Sequence, residues 1–262
     1  MHTAHLMYHE GELEVQRRAG VAEEAARVGR IIGGTIPPAA ARFIEARPFV
    51  VASTVDDAGR VWATPLFGHV RVTNERTLRG VGQALSLPGQ TTSSPGQAES
   101  LSYTIGILAI DLATRRRMRV NGLASRDGDD LLIAAQEVYS NCPQYIHPLP
   151  AKPDTSSPEA WVNSSDTFFL ATAHPTRGAD ASHRGGEVHF DGTRIVFPDY
   201  RGNNMFNSLG NLAVNPRCGL LFIDFDSGAF LQLTGEGHIE WEPARRVVID
   251  VAEIERRTQN AE

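Results

Sequence analysis

The spacing of apolar residues changes period several times along the chain. Between Glu12 and Ile32, Leu13, Ala22, Ala25, Ala26 and Val28 stand among charges, which predicts an amphipathic helix ended by Gly33-Gly34. Pro37-Pro38 opens a second short helix through Ala39 to Ala46, and Pro48 stops it. The period then shortens to that of strands. Phe49–Val55 and Val61–Thr64 flank a turn at Asp56-Asp57-Ala58-Gly59, a hairpin signature. Further strands are predicted at Thr104–Ile110 and Arg117–Ala124, and later at Thr167–Ala173, Arg217–Asp224 and Phe230–Ile239. Met205, Phe206, Leu209 and Leu212 recur at helical spacing, so a short helix is expected from Met205 to Val214, stopped at Asn215-Pro216.

The two halves share an order of pieces. Ile110-Asp111 matches Ile223-Asp224, and Val120-Asn121-Gly122 matches Leu233-Thr234-Gly235, each 113 positions apart; Phe49–Thr54 matches Phe168–Ala173 at a separation of 119. Such spacing points to two copies of one β-rich unit. A Gly-, Ser-, Thr-, Pro- and Gln-rich stretch from Gly82 to Ser100 reads as a mobile loop or insertion, and the Pro-rich stretch from Leu149 to Pro158 as a linker. The expected division is a helical segment over 1–47, a first repeat over 48–148, a linker over 149–160, and a second repeat over 161–262 ending in a C-terminal helix. Short strands with tight turns suggest small barrels, and no strand leads into a G-x-G-x-x-G turn, so a Rossmann domain is not indicated.

Composition narrows the partners. At 262 residues the chain can hold one large or two moderate domains, and 41% hydrophobic residues suffice for a core. A net charge of −6 argues against a nucleic-acid surface. Lys152 is the sole lysine, so anion recognition falls to arginine. Two cysteines, Cys142 and Cys218, make no disulfide framework or metal spacing, which fits a reducing, cytoplasmic compartment. The charged N-terminus does not read as a signal peptide, and no run is long enough for a membrane span.

The densest cluster of donors is Arg201, Asn203, Asn204, Asn207 and Ser208, on a loop and the first turn of a helix. Spare helix N–H groups beside an arginine suit a phosphate; the plainer reading is that the asparagines only cap and turn the chain. Ser182-His183-Arg184-Gly185-Gly186 adds hydroxyl, imidazole and guanidinium donors, with glycines that would let backbone approach a ligand. Arg115, Arg117 and Arg119 alternate along a strand and share one side, either as surface ion pairs or facing an anionic ligand. Cys142 reads as a buried structural cysteine in preference to a reactive thiol. His2, His5 and His9 read as a frayed terminus, and no metal site is expected.

These pieces resemble the pyridoxamine 5′-phosphate oxidase-like flavoproteins, which have the FMN-binding split-barrel fold. The resemblance is carried by Ser182–Gly186, Phe197–Asn203, the helix Met205–Val214, Asn215-Pro216-Arg217 and the strand Gly219–Phe222. In the first half, Ile110–Arg117, Arg119–Gly122 and Asn141–Ile146 look like a tandem-repeat subgroup. The resemblance implies a mainly β fold with flanking helices (α+β): two tandem split β-barrel repeats, the first degenerate. It implies FMN as cofactor, its phosphate held by Ser182, His183 and Arg184 and by Arg201, Asn203, Asn204, Asn207 and Ser208. The helix here departs from the family in carrying no lysine or arginine, which leaves the charge to Arg184 and Arg201. One flavin site per chain is expected, because the Gly82–Ser100 insertion replaces the phosphate segment in the first repeat.

The expected activity is that of an FMN-dependent oxidoreductase acting on a small-molecule substrate or electron donor. His183 is a flavin or substrate contact, and a weaker candidate for a catalytic proton carrier. Two other readings stay open: a non-catalytic flavin-binding or sensor module, and a haem-binding relative using His69, His174 or His238. Single-repeat members of the family are dimers with flavin at the interface, so a two-repeat chain either meets that geometry internally or forms a homodimer.

Overall fold

The computed structural model describes residues 7–82 and 102–258. The Gly82–Ser100 segment, beyond Gly82 itself, lies outside the described residues, as do His2 and His5. Three short helices come first: α1 (Glu10–Arg18), α2 (Ala22–Val28) and α3 (Pro38–Glu45). The single helix expected over Glu12–Ile32 is therefore two. Gly20, at φ 70°, turns the chain between them, and Glu23 and Glu24 begin a new first turn.

Seven strands follow: β1 (Phe49–Val55), β2 (Val61–Phe67), β3 (Val70–Asn74), β4 (Thr77–Gly80), β5 (Tyr103–Asp111), β6 (Arg116–Asp127) and β7 (Asp130–Ser140). The second half runs α4 (Pro158–Ser164), β8 (Thr167–His174), β9 (Gly178–Gly185), β10 (His189–Phe190), β11 (Arg194–Pro198), α5 (Asn207–Val214), β12 (Arg217–Ile223), β13 (Ala229–Glu240) and β14 (Arg246–Thr258). The expected C-terminal helix is instead β14. Its Val247–Ile249 run is buried, and the strand pairs with β13 on one side and β11 on the other. That ladder outweighs the helix-favouring charges of Glu253, Glu255, Arg256 and Arg257. Among the described residues no helix is long and apolar enough to cross a membrane.

The strands form two antiparallel sheets, ordered β2-β1-β5-β6-β7-β4-β3 and, read in the same sense, β9-β8-β12-β13-β14-β11-β10. Each place in one sheet has its counterpart in the other, so the chain is two split-barrel-like repeats. The register is broken at Asn121/Gly122 in β6 and at Thr234/Gly235 in β13, the same bulge in both copies. Gly106 pairs with Ser53, and its counterpart Gly219 pairs with Ala171. The first strands are thus related by 118 positions, one less than the spacing of their matching residues. In a strand that one-residue difference exchanges the core face for the opposite face.

Each sheet packs one face on its own core, around Ile44, Ile105 and Leu78 in the first repeat and Trp161, Phe168 and Phe222 in the second. The other faces meet in a shared apolar seam containing Val51, Leu108, Phe169 and Leu221. Coverage on both faces explains why β8 is buried at all eight positions. The seam is close to two-fold. A Cβ on Gly106 would fall 2.4 Å from the Ala179 oxygen on β9, and one on Gly219 would fall 2.6 Å from the Val61 oxygen on β2. The halves touch as two subunits of a symmetric dimer would.

Candidate functional site

One end of the seam opens into a cavity of about 110 Å³ between β9, the segment from Pro198 to Leu209, and the first repeat's β6 with Asn141, Gln144 and Tyr145. Seven of the eight residues expected at a phosphate line it: Ser182, His183, Arg184, Asn203, Asn204, Asn207 and Ser208. Arg201 does not. It is exposed, and among the described residues its backbone oxygen accepts from Tyr145 Oη at 3.1 Å. The space in front of Gly185 is also not left for a ligand, since the Tyr145 carbonyl oxygen occupies it. Tyr145 and Tyr200, partly exposed, stack at the cavity with ring centroids 4.9 Å apart.

Most of the neutral donors are already committed. Ser182 Oγ donates to the Leu170 oxygen at 3.2 Å and accepts from Ser208 Oγ at 3.0 Å. Asn203 bonds to Met205, and Asn207 Nδ2 donates to Glu12 at 2.6 Å. Capacity to bind an anion remains on the guanidinium groups, on the His183 ring and on backbone amides. Phe206, at φ 59°, precedes α5 without supplying a side-chain cap, so the first amides of the helix keep their capacity for a ligand.

Arg117 and Arg119 of β6 enter the cavity beside Arg184. Arg119 Nη1 reaches Asp180 Oδ1 and Tyr139 Oη, each at 3.3 Å. Arg184 Nη1 donates to Asp199 at 2.8 Å, and Asp199 also accepts from Arg245 at 2.7 Å. Arg117 has no such counter-ion: Nη2 donates to the Cys142 oxygen at 2.6 Å and Nη1 lies 3.4 Å from His183 Nδ1. Among the described residues no carboxylate is within ion-pair distance of Arg117. The Nε atoms of all three arginines are buried without a hydrogen-bond partner.

Burial, then the charges of Arg119 and Arg184, pulls the Arg117 guanidinium down to about 9. It still carries its proton at neutral pH, so the cost of burying it is best relieved by an anion. His183 is held well below the ordinary histidine range by burial, Arg117 and Arg184, and is neutral. Because Arg117 donates toward Nδ1, the hydrogen-bond network assigns the proton to Nε2, which is buried and unpartnered. His183 thus offers the cavity a donor, not a base. The alternation of Arg117 and Arg119 was the available signal for this half of the site; Arg115 and Arg116 stay exposed.

The opposite end of the seam lacks this charge. By strand register the counterparts of Arg184 and His183 are Leu66 and Pro65, and those of Arg117 and Arg119 are Phe230 and Gln232. Among the described residues, the near-symmetric scaffold therefore carries the Arg117, Arg119 and Arg184 cluster at one end of the seam and not at the other. Cys142, expected to be buried, is half-buried, and its carbonyl rather than its thiol meets Arg117. His9, Glu10 and His174 bring ligand atoms within 4.8 Å of one another. Both Nδ1 atoms, however, already accept backbone N–H bonds, from Gly11 at His9 and from Thr176 and Arg177 at His174. Neither His69, His174 nor His238 lines the cavity.

The family model for pyridoxamine 5′-phosphate oxidase matches residues 157–259, which span the second sheet and α5. Residues 157–259 thus form a pyridoxamine 5′-phosphate oxidase-like domain. Among solved structures, HupZ from Group A Streptococcus aligns in two forms. Both are 14% identical, with TM-scores of 0.33 and 0.31, covering 38% and 37% of this chain and 95% and 88% of the other. An F420 reductase aligns at 17% identity and a TM-score of 0.28, covering 37% of this chain and 94% of its own. Alignments this partial say nothing about cofactor or substrate. No curated protein matches the chain significantly.

Proposed function

We propose that the chain binds FMN by its phosphate at the cationic end of the seam and works as an FMN-dependent oxidoreductase on a small molecule. The reading rests on one observation: Arg117, Arg119 and Arg184, whose buried Nε atoms have no partner among the described residues, line one cavity with the uncapped first residues of α5. Guanidinium groups and helix amides together suit a phosphate. The cavity of about 110 Å³ is small against the ~300–1,000 Å³ of ordinary small-molecule sites, so it suits the phosphate end and not a whole nucleotide.

Bound FMN would supply the redox chemistry. The chain's own contribution is to hold and orient. Arg117 and Arg184 would neutralise the phosphate from opposite repeats. His183 would donate from Nε2, and the amides at the start of α5 would complete the shell.

Titration with FMN, riboflavin and inorganic phosphate tests this. FMN should bind at least about tenfold more tightly than riboflavin, since charge-assisted bonds contribute roughly 1.5–3 kcal/mol each. Phosphate should compete with FMN. Equal affinity for FMN and riboflavin would sink the phosphate pocket. Reduction of bound flavin by NADH or NADPH, with reoxidation by a defined acceptor, separates an enzyme from a flavin store.

A further inference from the structure

Helix α1 belongs to neither sheet, yet it lies across α5, the helix that opens the cationic pocket. The two backbones touch. A Cβ on Gly11 would fall 2.1 Å from the Gly210 oxygen, and one on Gly210 would fall 2.6 Å from the Glu12 nitrogen. Only glycine at both positions permits this approach. Three side chains at spacings of three and four then reach across, one turn after another. His9 Nε2 is 3.0 Å from Asn211 Oδ1, Glu12 Oε1 accepts from Asn207 Nδ2 at 2.6 Å, and Gln16 Nε2 donates to the Met205 oxygen at 2.9 Å. All three are buried, at 8%, 5% and 1% exposure.

What these bonds hold is the start of α5. Asn207 is its first residue and lines the cavity. Just before it, Asn204 and Phe206 are both in the left-handed region, at φ 63° and 59°. Non-glycine residues persist there only where their surroundings over-determine the backbone. The helix has no side-chain cap of its own, so its first turn is positioned from outside, by α1.

We propose that α1 is a working part of the ligand pocket, with Glu12 as the positioning residue: by holding the Asn207 side chain it keeps the first turn of α5 open toward the arginines. The functional consequence rests on the phosphate-pocket reading; the structural one does not. The environment of Glu12 fits the role. It is faced by His9, the N-cap of its own helix, by Asp180 of β9, by Glu137 of β7 and by the Tyr8 phenol. Burial foremost, with Asp180 and Glu137 adding negative charge, keeps its carboxyl protonated at neutral pH. A neutral acceptor can hold Asn207 without repelling a neighbouring anion. Ionising Glu12 would set a buried negative charge against that anion.

The test compares Glu12→Ala, which removes the acceptor, with Glu12→Gln, which keeps a neutral one. Two measurements are made: hydrogen exchange in the ligand-free protein of the Gly210, Asn211 and Leu212 amides, whose bonds close the first turn of α5 (Gly210 N–H donates to the Phe206 oxygen at 2.6 Å), and affinity for FMN and for inorganic phosphate. In Glu12→Ala those three amides should exchange about tenfold faster while β12 amides do not change. FMN should bind about fivefold or more weakly, and Glu12→Gln should restore both to within about twofold. Glu12→Gln should also bind FMN more tightly than wild type at about pH 9, where only the wild-type carboxyl is ionised. If Glu12→Ala does not fold, Glu12→Asp, one methylene short of Asn207, takes its place. Unchanged exchange at the three amides overturns the proposal whatever FMN does. If wild type binds neither FMN nor phosphate, the FMN reading fails and the exchange comparison still decides the role of α1.

Discussion

Arg117 Nη1 lies 3.4 Å from His183 Nδ1, which joins a guanidinium of the first repeat to an imidazole of the second. The contact sets the proton of His183 on Nε2, and among the described residues no carboxylate pairs with Arg117. An anion pocket built by one repeat alone would have neither feature. Arg117 should therefore matter to ligand binding more than to folding.

For Arg117→Met, which keeps an apolar stem, FMN affinity should fall about tenfold or more, given roughly 1.5–3 kcal/mol for a bond to a charged group. The ligand-free melting temperature should hold or rise, because removing an uncompensated buried charge relieves its desolvation. Fluorescence titration and thermal melts measure the two effects. A lower melting temperature with unchanged affinity would make Arg117 structural.

Arg201→Ala should leave FMN affinity within about twofold, as exposed substitutions away from a site usually do. The residue is absent from the cavity lining, and its carbonyl accepts from Tyr145. The same titration decides. A tenfold loss would return Arg201 to the phosphate shell.

Two buried groups should give opposite slopes of stability with pH. His9 is lowered from 6.5 to about 4, by burial first and His174 second. The unfolded chain therefore binds the extra proton, and stability is lost as pH falls from about 6.5 to about 4. The loss is on the order of 3 kcal/mol. Glu12 is raised from 4.5 to about 8, mainly by burial. There the folded state keeps the proton, so its contribution declines as pH rises from about 4.5 to about 8. Denaturation of wild type, His9→Gln and Glu12→Gln at several pH values resolves them. His9→Gln should flatten the acid side and Glu12→Gln the neutral-to-basic side.

Gly210→Ala should separate α1 from α5, because its Cβ would sit 2.6 Å from the Glu12 nitrogen. Overpacking of this kind costs about 1–3 kcal/mol. Chemical denaturation should show that loss, although alanine is the better helix former in isolation.

The strand order of both repeats was legible in the chain because period-2 apolar runs and turn residues are local signals. Val120-Asn121-Gly122 and Leu233-Thr234-Gly235 even mark the same bulge in both sheets. The first strands were harder. Their best residue match, at 119, is one position from the paired register at 118, and only cross-strand hydrogen bonds choose between faces. The helical expectation at the C-terminus failed for a similar reason. Nothing within residues 246–258 shows that β13 and β11 wait on either side.

By itself the sequence determined a two-repeat β architecture and, in Ser182–Arg184 and Asn203–Ser208, the second repeat's share of one pocket. Tertiary structure decided what the pocket is made of. It carried Arg117 and Arg119 across the seam, left Arg201 outside, and laid α1 over α5 through Gly11 and Gly210. Those contacts join residues far apart in the chain, where charge, burial and backbone approach are properties of the packed molecule and not of any local stretch.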